Sequence, residues 1–233
     1  MMICIPIVAP TTEAAVAQME RGLPLADVVE LRIDQIEDCD LKQLLAIQRK
    51  GKPIIVTNRR ADERGAFPGT ERERVELLKE AVALGADYVD IEVRTEKLLL
   101  KELVAQIEKY NGRTKRIVSY HDFSATPSEE ALRKRFEECV TTKADIVKIC
   151  TYAHTVEDNL RVLGIIPYAR NKGQTIIAFA MGEQGRISRV MAPLVGAAWG
   201  YASAEKGAES APGQLTIEEM RLVSQILENA GPG

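Results

Sequence analysis

The sequence has no CxxC pair among its four cysteines, and the wide spacing of Cys4, Cys39, Cys139 and Cys150 argues against a zinc site or a disulfide framework. A reducing compartment follows, with the cytoplasm as the expected location and no metal expected. An excess of one charge is also missing. Lys and Arg number 31 against 34 Asp and Glu, a formal −3 scattered along the chain, so neither a basic face for nucleic acid nor an acidic disordered tail is expected. The expected partner is a small molecule, not nucleic acid. Long hydrophobic runs are absent: MMICIPIVAP lacks a positive n-region and is too short for a signal sequence with its cleavage site or for a membrane span. It reads as a first strand, and no membrane partner is expected. With no low-complexity linker or composition break, 233 residues at 45% hydrophobic content read as one domain spanning residues 1–233.

What the chain does contain is an alternation. The β-branched runs ICIPIV, DVVELRI, PIIVTN, DYVDIEV, RIVSYH, DIVKIC and TIIAFA, and a weaker AAWGYAS, give eight candidate strands. Helical spacing predicts helices over Thr12–Arg21, Leu41–Lys50, Glu71–Leu84, Glu96–Tyr110, Ser128–Val140, Val156–Arg170, Ile187–Val195 and Ile217–Asn229. Thr126-Pro127-Ser128-Glu129-Glu130 is a helix start, where small polar residues, Pro and acids suit the free N–H groups and the macrodipole. Strict alternation implies βαβ crossovers and a parallel sheet, and eight units in this length fit a closed (β/α)8 TIM barrel. A doubly wound open sheet is the alternative, but no GxGxxG follows the first strand. Two polar connections, Arg60–Thr70 and Tyr201–Gly213, are expected at the strand C-terminal face.

Parallel strands covered on both sides should be continuously apolar, and several here are not. Period-two alternation sets Val29, Leu31 and Ile33 against Glu30, Arg32 and Asp34, and Val89, Ile91 and Val93 against Asp90 and Glu92. The same parity turns Thr57, Arg59, Ser119, His121 and Lys148 inward. Unpaired buried charge costs several kcal/mol, so charges converging from five strands predict one polar network around a site.

Lys148 lies among Ile146, Val147, Ile149 and Cys150, surroundings that would lower a lysine pKa and free the amine as a nucleophile toward carbonyl carbon. The competing reading is an ammonium paired with Asp90 or Glu92. His121, one of two histidines, ends its strand and is the natural acid/base, or else a buried histidine satisfied by a carbonyl. Glu63, in the long connection after the third strand, is placed to orient that imidazole or is merely solvated. Arg189, in the first turn of a predicted helix, suits a carboxylate or phosphate, or is a surface arginine.

Taken together, ELRID, SYHDF, ADIVKI, the ISR segment and SAPGQLT, running in order from Glu30 to Gln214, resemble the signature segments of type I 3-dehydroquinate dehydratases. The resemblance implies a (β/α)8 barrel, commonly a homodimer, acting without metal or organic cofactor as a hydro-lyase on 3-dehydroquinate in aromatic amino acid biosynthesis. It implies Lys148 as Schiff-base lysine, His121 as general acid/base, Glu63 as the partner of His121 and Arg189 as carboxylate ligand. Glu30, Arg32 and Arg59 fall on positions that hold ring hydroxyls and nearby charges, Ser210 and Gln214 on a closing loop, and Asp90 on a strand end near the lysine. The match departs at Tyr120, where many relatives carry asparagine, and in MGEQGR. A class I aldolase would also use an interior lysine, and a barrel serving only to bind would keep the fold without needing the reacting set.

Overall fold

The computed structural model describes residues 1–47 and 51–228. Strands and helices alternate as β1 (Ile3–Ile7), α1 (Thr12–Gly22), β2 (Val28–Arg32), α2 (Leu41–Ala46), β3 (Ile54–Thr57), α3 (Glu71–Ala83), β4 (Tyr88–Glu92) and α4 (Lys97–Lys109). They continue as β5 (Lys115–His121), α5 (Glu129–Thr141), β6 (Ile146–Tyr152), α6 (Glu157–Asn171), β7 (Thr175–Met181), α7 (Arg186–Leu194), β8 (Gly200–Tyr201) and α8 (Ile217–Glu228). Ser128 caps α5 by accepting from the Ala131 N–H, as its sequence predicts. The predicted second helix is shorter than expected, and its last residues, 48–50, lie outside the described residues, as does Asn229 of the eighth.

All eight strands are parallel, in the order β7-β6-β5-β4-β3-β2-β1-β8. The seam between β7 and β8 is bridged by the Ala198 N–H donating to the Ile176 carbonyl at 2.8 Å, which nearly closes the barrel. The eighth strand is shorter than AAWGYAS suggests because Ser203 turns its N–H to the Leu215 carbonyl and the chain departs into a long excursion.

Side-chain alternation divides the apolar residues into two groups. Val29, Leu31, Val89, Ile91, Val118, Val147 and Ile149 point outward and meet Leu78, Leu103, Phe136 and Ile165 from the helices. Each such aliphatic side chain contributes roughly 1.5–3 kcal/mol of transfer free energy. The inward group, Val28, Ile55, Ile117, Ile146, Ile177 and Trp199, fills the barrel's lower half. Two residues further along, the interior positions become polar: Glu30 follows Val28, Thr57 follows Ile55, Ser119 follows Ile117 and Lys148 follows Ile146. Because every strand runs the same way, this gradient collects the ions at the C-terminal end.

Candidate active site

Two connections and one helix complete the mouth of the barrel. After β3 the chain forms a 3-10 turn, Ala61–Glu63, ended by Arg64 in the left-handed region at φ 62°. Gly65 then passes so close to the preceding strand end that a Cβ would lie 1.8 Å from the Arg59 carbonyl oxygen. That tight return sets Glu63 above the barrel. The start of α7 is tied to β7 by the Ala180 N–H donating to Ser188 Oγ at 2.8 Å, and to α6 by the Ser188 N–H donating to Asn159 Oδ1 at 3.0 Å. Arg189 is thereby fixed on the wall. The excursion after β8 folds back over the mouth, where the Pro212 carbonyl accepts from the Gly182 N–H at 3.0 Å and from Arg189 Nη2 at 3.1 Å. Gly213, at φ 76°, is required there, since its Cβ would meet the Gly182 oxygen at 2.1 Å.

These parts enclose a cavity of about 270 Å³. Lys148, His121, Glu63, Glu30, Arg32, Arg59, Arg189, Ser210 and Gln214 all line it, so the structure brings together every site residue expected from the sequence. At its floor, Lys148 Nζ donates to Asp90 Oδ2 at 2.9 Å and to Glu30 Oε1 at 3.2 Å, and lies 4.7 Å from the centre of the Tyr201 ring. Asp90 is gripped by Arg59 through Nη1 at 3.1 Å and Nη2 at 3.0 Å, and by Ser119 Oγ at 2.6 Å. Arg59 also reaches Glu92 at 2.5 Å, whose other oxygen faces Arg74 at 2.9 Å. Glu30 Oε1 accepts from the Thr57 hydroxyl at 2.7 Å.

This geometry corrects one expectation. Burial pushes the Lys148 amine down, but Asp90 and then Glu30 outweigh it and hold the ammonium well above the ordinary lysine value. Val147 and Ile149, which suggested an apolar setting, face the helices, while the lysine itself faces carboxylates. Asp90, raised by burial, is held well below the carboxylate range by Arg59 and Lys148. Of the two anions offered as partners for the ammonium, Asp90 takes it and Glu92 serves the arginines.

His121 Nδ1 lies 2.7 Å from Glu63 Oε2, and its ring stacks on Phe123 at 5.9 Å, with the Arg64 guanidinium over the far ring at 4.5 Å. Burial, then Arg59 and Lys148, lower the imidazole well below its ordinary value, and burial raises the Glu63 carboxyl to about 8. Glu63 Oε1 is buried with no hydrogen-bond partner among the described residues, as suits a neutral carboxyl. Arg32 is bound by Asp34 through two contacts of 2.9 and 2.8 Å. Arg189 has no carboxylate partner among the described residues; its Nε is unpaired, its guanidinium lies over Phe179 at 4.6 Å, and burial lowers its pKa to about 10. The Gln214 side-chain oxygen accepts from both the N–H and the hydroxyl of Ser210, at 2.8 and 3.1 Å.

Sequence reasoning did not single out Gln35, Arg64, Phe123, Phe179, Met181 or Tyr201, which also line the cavity. The inward parity of Phe179, Met181 and Tyr201 was available, but large apolar side chains read as filling. Tyr120, the departure from the resemblance, belongs to the outward group, away from the cavity.

An eight-stranded parallel barrel whose interior becomes ionic at the strand C-termini, beneath an enclosed cavity, is the architecture of a (β/α)8-barrel enzyme. Residues 3–230 match the family model described as type I 3-dehydroquinase. The 3-dehydroquinate dehydratase of Methanocaldococcus jannaschii is 37% identical over 227 residues, covering 97% of this chain and 99% of that protein. The crystal structure of 3-dehydroquinate dehydratase from Geobacillus kaustophilus superposes with a TM-score of 0.90 at 28% identity, over 99% of this chain and 92% of that one. A type I enzyme from Clostridium difficile, solved with covalently modified comenic acid, gives 0.88 at 25% identity, over 98% and 92% of the two chains. The chain belongs to the type I 3-dehydroquinase family, whose members are hydro-lyases (EC 4.2.1.10).

Proposed function

We propose that this chain removes water from 3-dehydroquinate by syn elimination through a Schiff base on Lys148, giving 3-dehydroshikimate, and that residues 1–233 act as one catalytic barrel. The observation that carries the reading is the pairing, in one cavity, of an interior lysine on the floor with Arg189 on the wall, a buried cation that has no anion among the described residues. A ligand with both a ketone and a carboxylate satisfies both groups. Arg189 offers the carboxylate charge-assisted hydrogen bonds, and Arg32 and Glu30 orient ring hydroxyls. Arg59 contributes by fixing Asp90 beneath the lysine.

In this mechanism the Lys148 ammonium gives up a proton within the site and the amine attacks C3. The carbinolamine loses water to form an iminium, which acidifies C2. His121 removes a C2 proton to give the enamine and then returns it to the departing C1 hydroxyl, Glu63 orienting the ring through Nδ1. Hydrolysis of the conjugated iminium frees product and lysine. Ser210 and Gln214 close the site from the loop above. The same reading extends to a homodimer acting in the cytoplasm in the shikimate pathway of aromatic amino acid and chorismate biosynthesis without a cofactor, as the resemblance to the family implies.

Incubation with 3-dehydroquinate, borohydride trapping and peptide mass spectrometry should place an adduct on Lys148, while untrapped samples develop enone absorbance. Folded protein yielding neither returns Lys148 to a structural charge or to an aldolase with another carbonyl substrate. Saturable binding without turnover points to a barrel that only binds.

A further inference from the structure

We propose that Glu30 is the base that takes the ammonium proton from Lys148 before carbonyl attack and the acid that gives a proton to the carbinolamine hydroxyl as it leaves. The inference rests on the Schiff-base reading above and assigns the protons of its nitrogen half, leaving His121 to the carbon half.

Two carboxylates touch Lys148 Nζ, Asp90 and Glu30, and the first is unsuited. A carboxylate has about four lone-pair positions, and Asp90 has four contacts: Arg59 Nη1 and Ser119 Oγ on Oδ1, Arg59 Nη2 and Lys148 Nζ on Oδ2. A proton added to Asp90 would displace one of them and set a neutral acid against a guanidinium. Glu30 receives only the Thr57 hydroxyl and Lys148, both on Oε1, and its Oε2 accepts no hydrogen bond from a described residue. It lines the cavity, so its free oxygen has access to the reacting centre.

Charge pairing decides in the same direction. Around the floor, the cations Lys148, Arg59 and Arg74 stand against the anions Glu30, Asp90 and Glu92. Transfer from Lys148 to Glu30 removes one charge of each sign and leaves two matched pairs, Arg59 with Asp90 and Arg74 with Glu92. Transfer to His121 would carry a positive charge out of the cluster and strand Glu30 as a buried anion, which is costly in a low-dielectric interior.

The step balances without an outside reagent. Lys148 ammonium and Glu30 carboxylate become amine and carboxylic acid, and the amine nitrogen forms the bond to the ketone carbon. Glu30 protonates the resulting alkoxide and recovers a proton from the nitrogen. It then protonates the carbinolamine hydroxyl, which leaves as water while the nitrogen lone pair forms the iminium. Glu30 ends as it began, a carboxylate.

Glu30→Gln keeps an oxygen for Thr57 and Lys148 but cannot take up the proton. Rapid-quench borohydride trapping at saturating 3-dehydroquinate should show adduct formation on Lys148 slowed by about 10²-fold or more, the scale of a lost general acid/base. Glu30→Asp should restore part of that rate. Trapping at the wild-type rate with only a raised KM would leave Glu30 its hydroxyl-orienting role alone and overturn the proposal. If Glu30→Gln does not fold, Glu30→Asp is read alone: slower trapping at saturation supports the shuttle and an unchanged rate overturns it. Wild-type protein that forms no adduct overturns the Schiff-base reading, and this proposal with it. Adduct in wild type with an equally fast variant overturns Glu30 only.

Discussion

Among the described residues, buried Arg189 has no carboxylate partner and its Nε is unpaired, so the folded protein carries a desolvation penalty at that position. Arg189→Met should therefore unfold at equal or higher urea concentration than wild type while its KM for 3-dehydroquinate rises on the order of 10²-fold, the scale of a lost charge-assisted pair. Lower stability together with unchanged KM would contradict the assignment. Glu63 makes a pH-dependent claim. When Glu63 is a neutral acid it donates to Nδ1, so Nε2 holds the imidazole hydrogen and has no free lone pair. Ionised Glu63 places the hydrogen on Nδ1 and frees Nε2 as base. With the carboxyl raised to about 8, kcat/KM should climb through that pH, and Glu63→Gln should give a lower but flatter profile between pH 6 and 9. Linkage adds a second readout. A carboxyl raised on folding stabilises the fold fully below its ordinary value of 4.5, and this contribution is lost as pH rises through about 8. His121, lowered on folding, contributes in the opposite sense, its share being lost as pH falls below 6.5. Urea titrations should accordingly show Glu63→Gln gaining stability relative to wild type between pH 5 and pH 8.5.

Among the elements, the connection after β8 sets a backbone carbonyl, that of Pro212, directly against the proposed carboxylate ligand Arg189. Gly213→Ala introduces a Cβ into the Gly182 carbonyl and so lifts Pro212 off both of its donors. The expected result is a several-fold rise in KM and faster proteolysis within residues 204–213, with little change in the urea midpoint, because the segment adds little buried apolar area. The strands show why so much of this site was legible in advance. A charge inside a period-two pattern has only one place to go when both sheet faces are covered, so Glu30, Arg32, Arg59, Asp90 and Lys148 announce a shared interior. Parity gives direction without distance. It could not say that Asp90 and Glu30 approach Lys148 closely enough to keep it an ammonium, because that depends on the register of strands distant in sequence. Glu63 was legible only through resemblance, since a turn that folds back through Arg64 and Gly65 has no periodic signature. Phe123 and Tyr201 were missed because an aromatic residue facing a cavity has the same pattern as one facing a core.

At the scale of the molecule, the barrel is unevenly joined. The pairing of β5, β6 and β7 extends over long registers, whereas β8 pairs with β1 through two residues, and the seam to β7 is bridged by Ala198 just ahead of it. Hydrogen exchange should be slowest in β6 and fastest among the strands in β8, and the reverse order would contradict this account of closure. Light scattering should give twice 25.7 kDa if the proposed homodimer forms. The Pro212 carbonyl has a consequence beyond holding a loop. It draws on the same guanidinium that is proposed to receive the substrate carboxylate, so loop order and ligand affinity share one coupling free energy. By reciprocity, whatever factor the docked loop adds to affinity, bound ligand must add to the docking of the loop. Small carboxylates too short to reach Lys148 should therefore still quiet the motion of residues 204–213, making the excursion a reporter of occupancy one step before any chemistry begins.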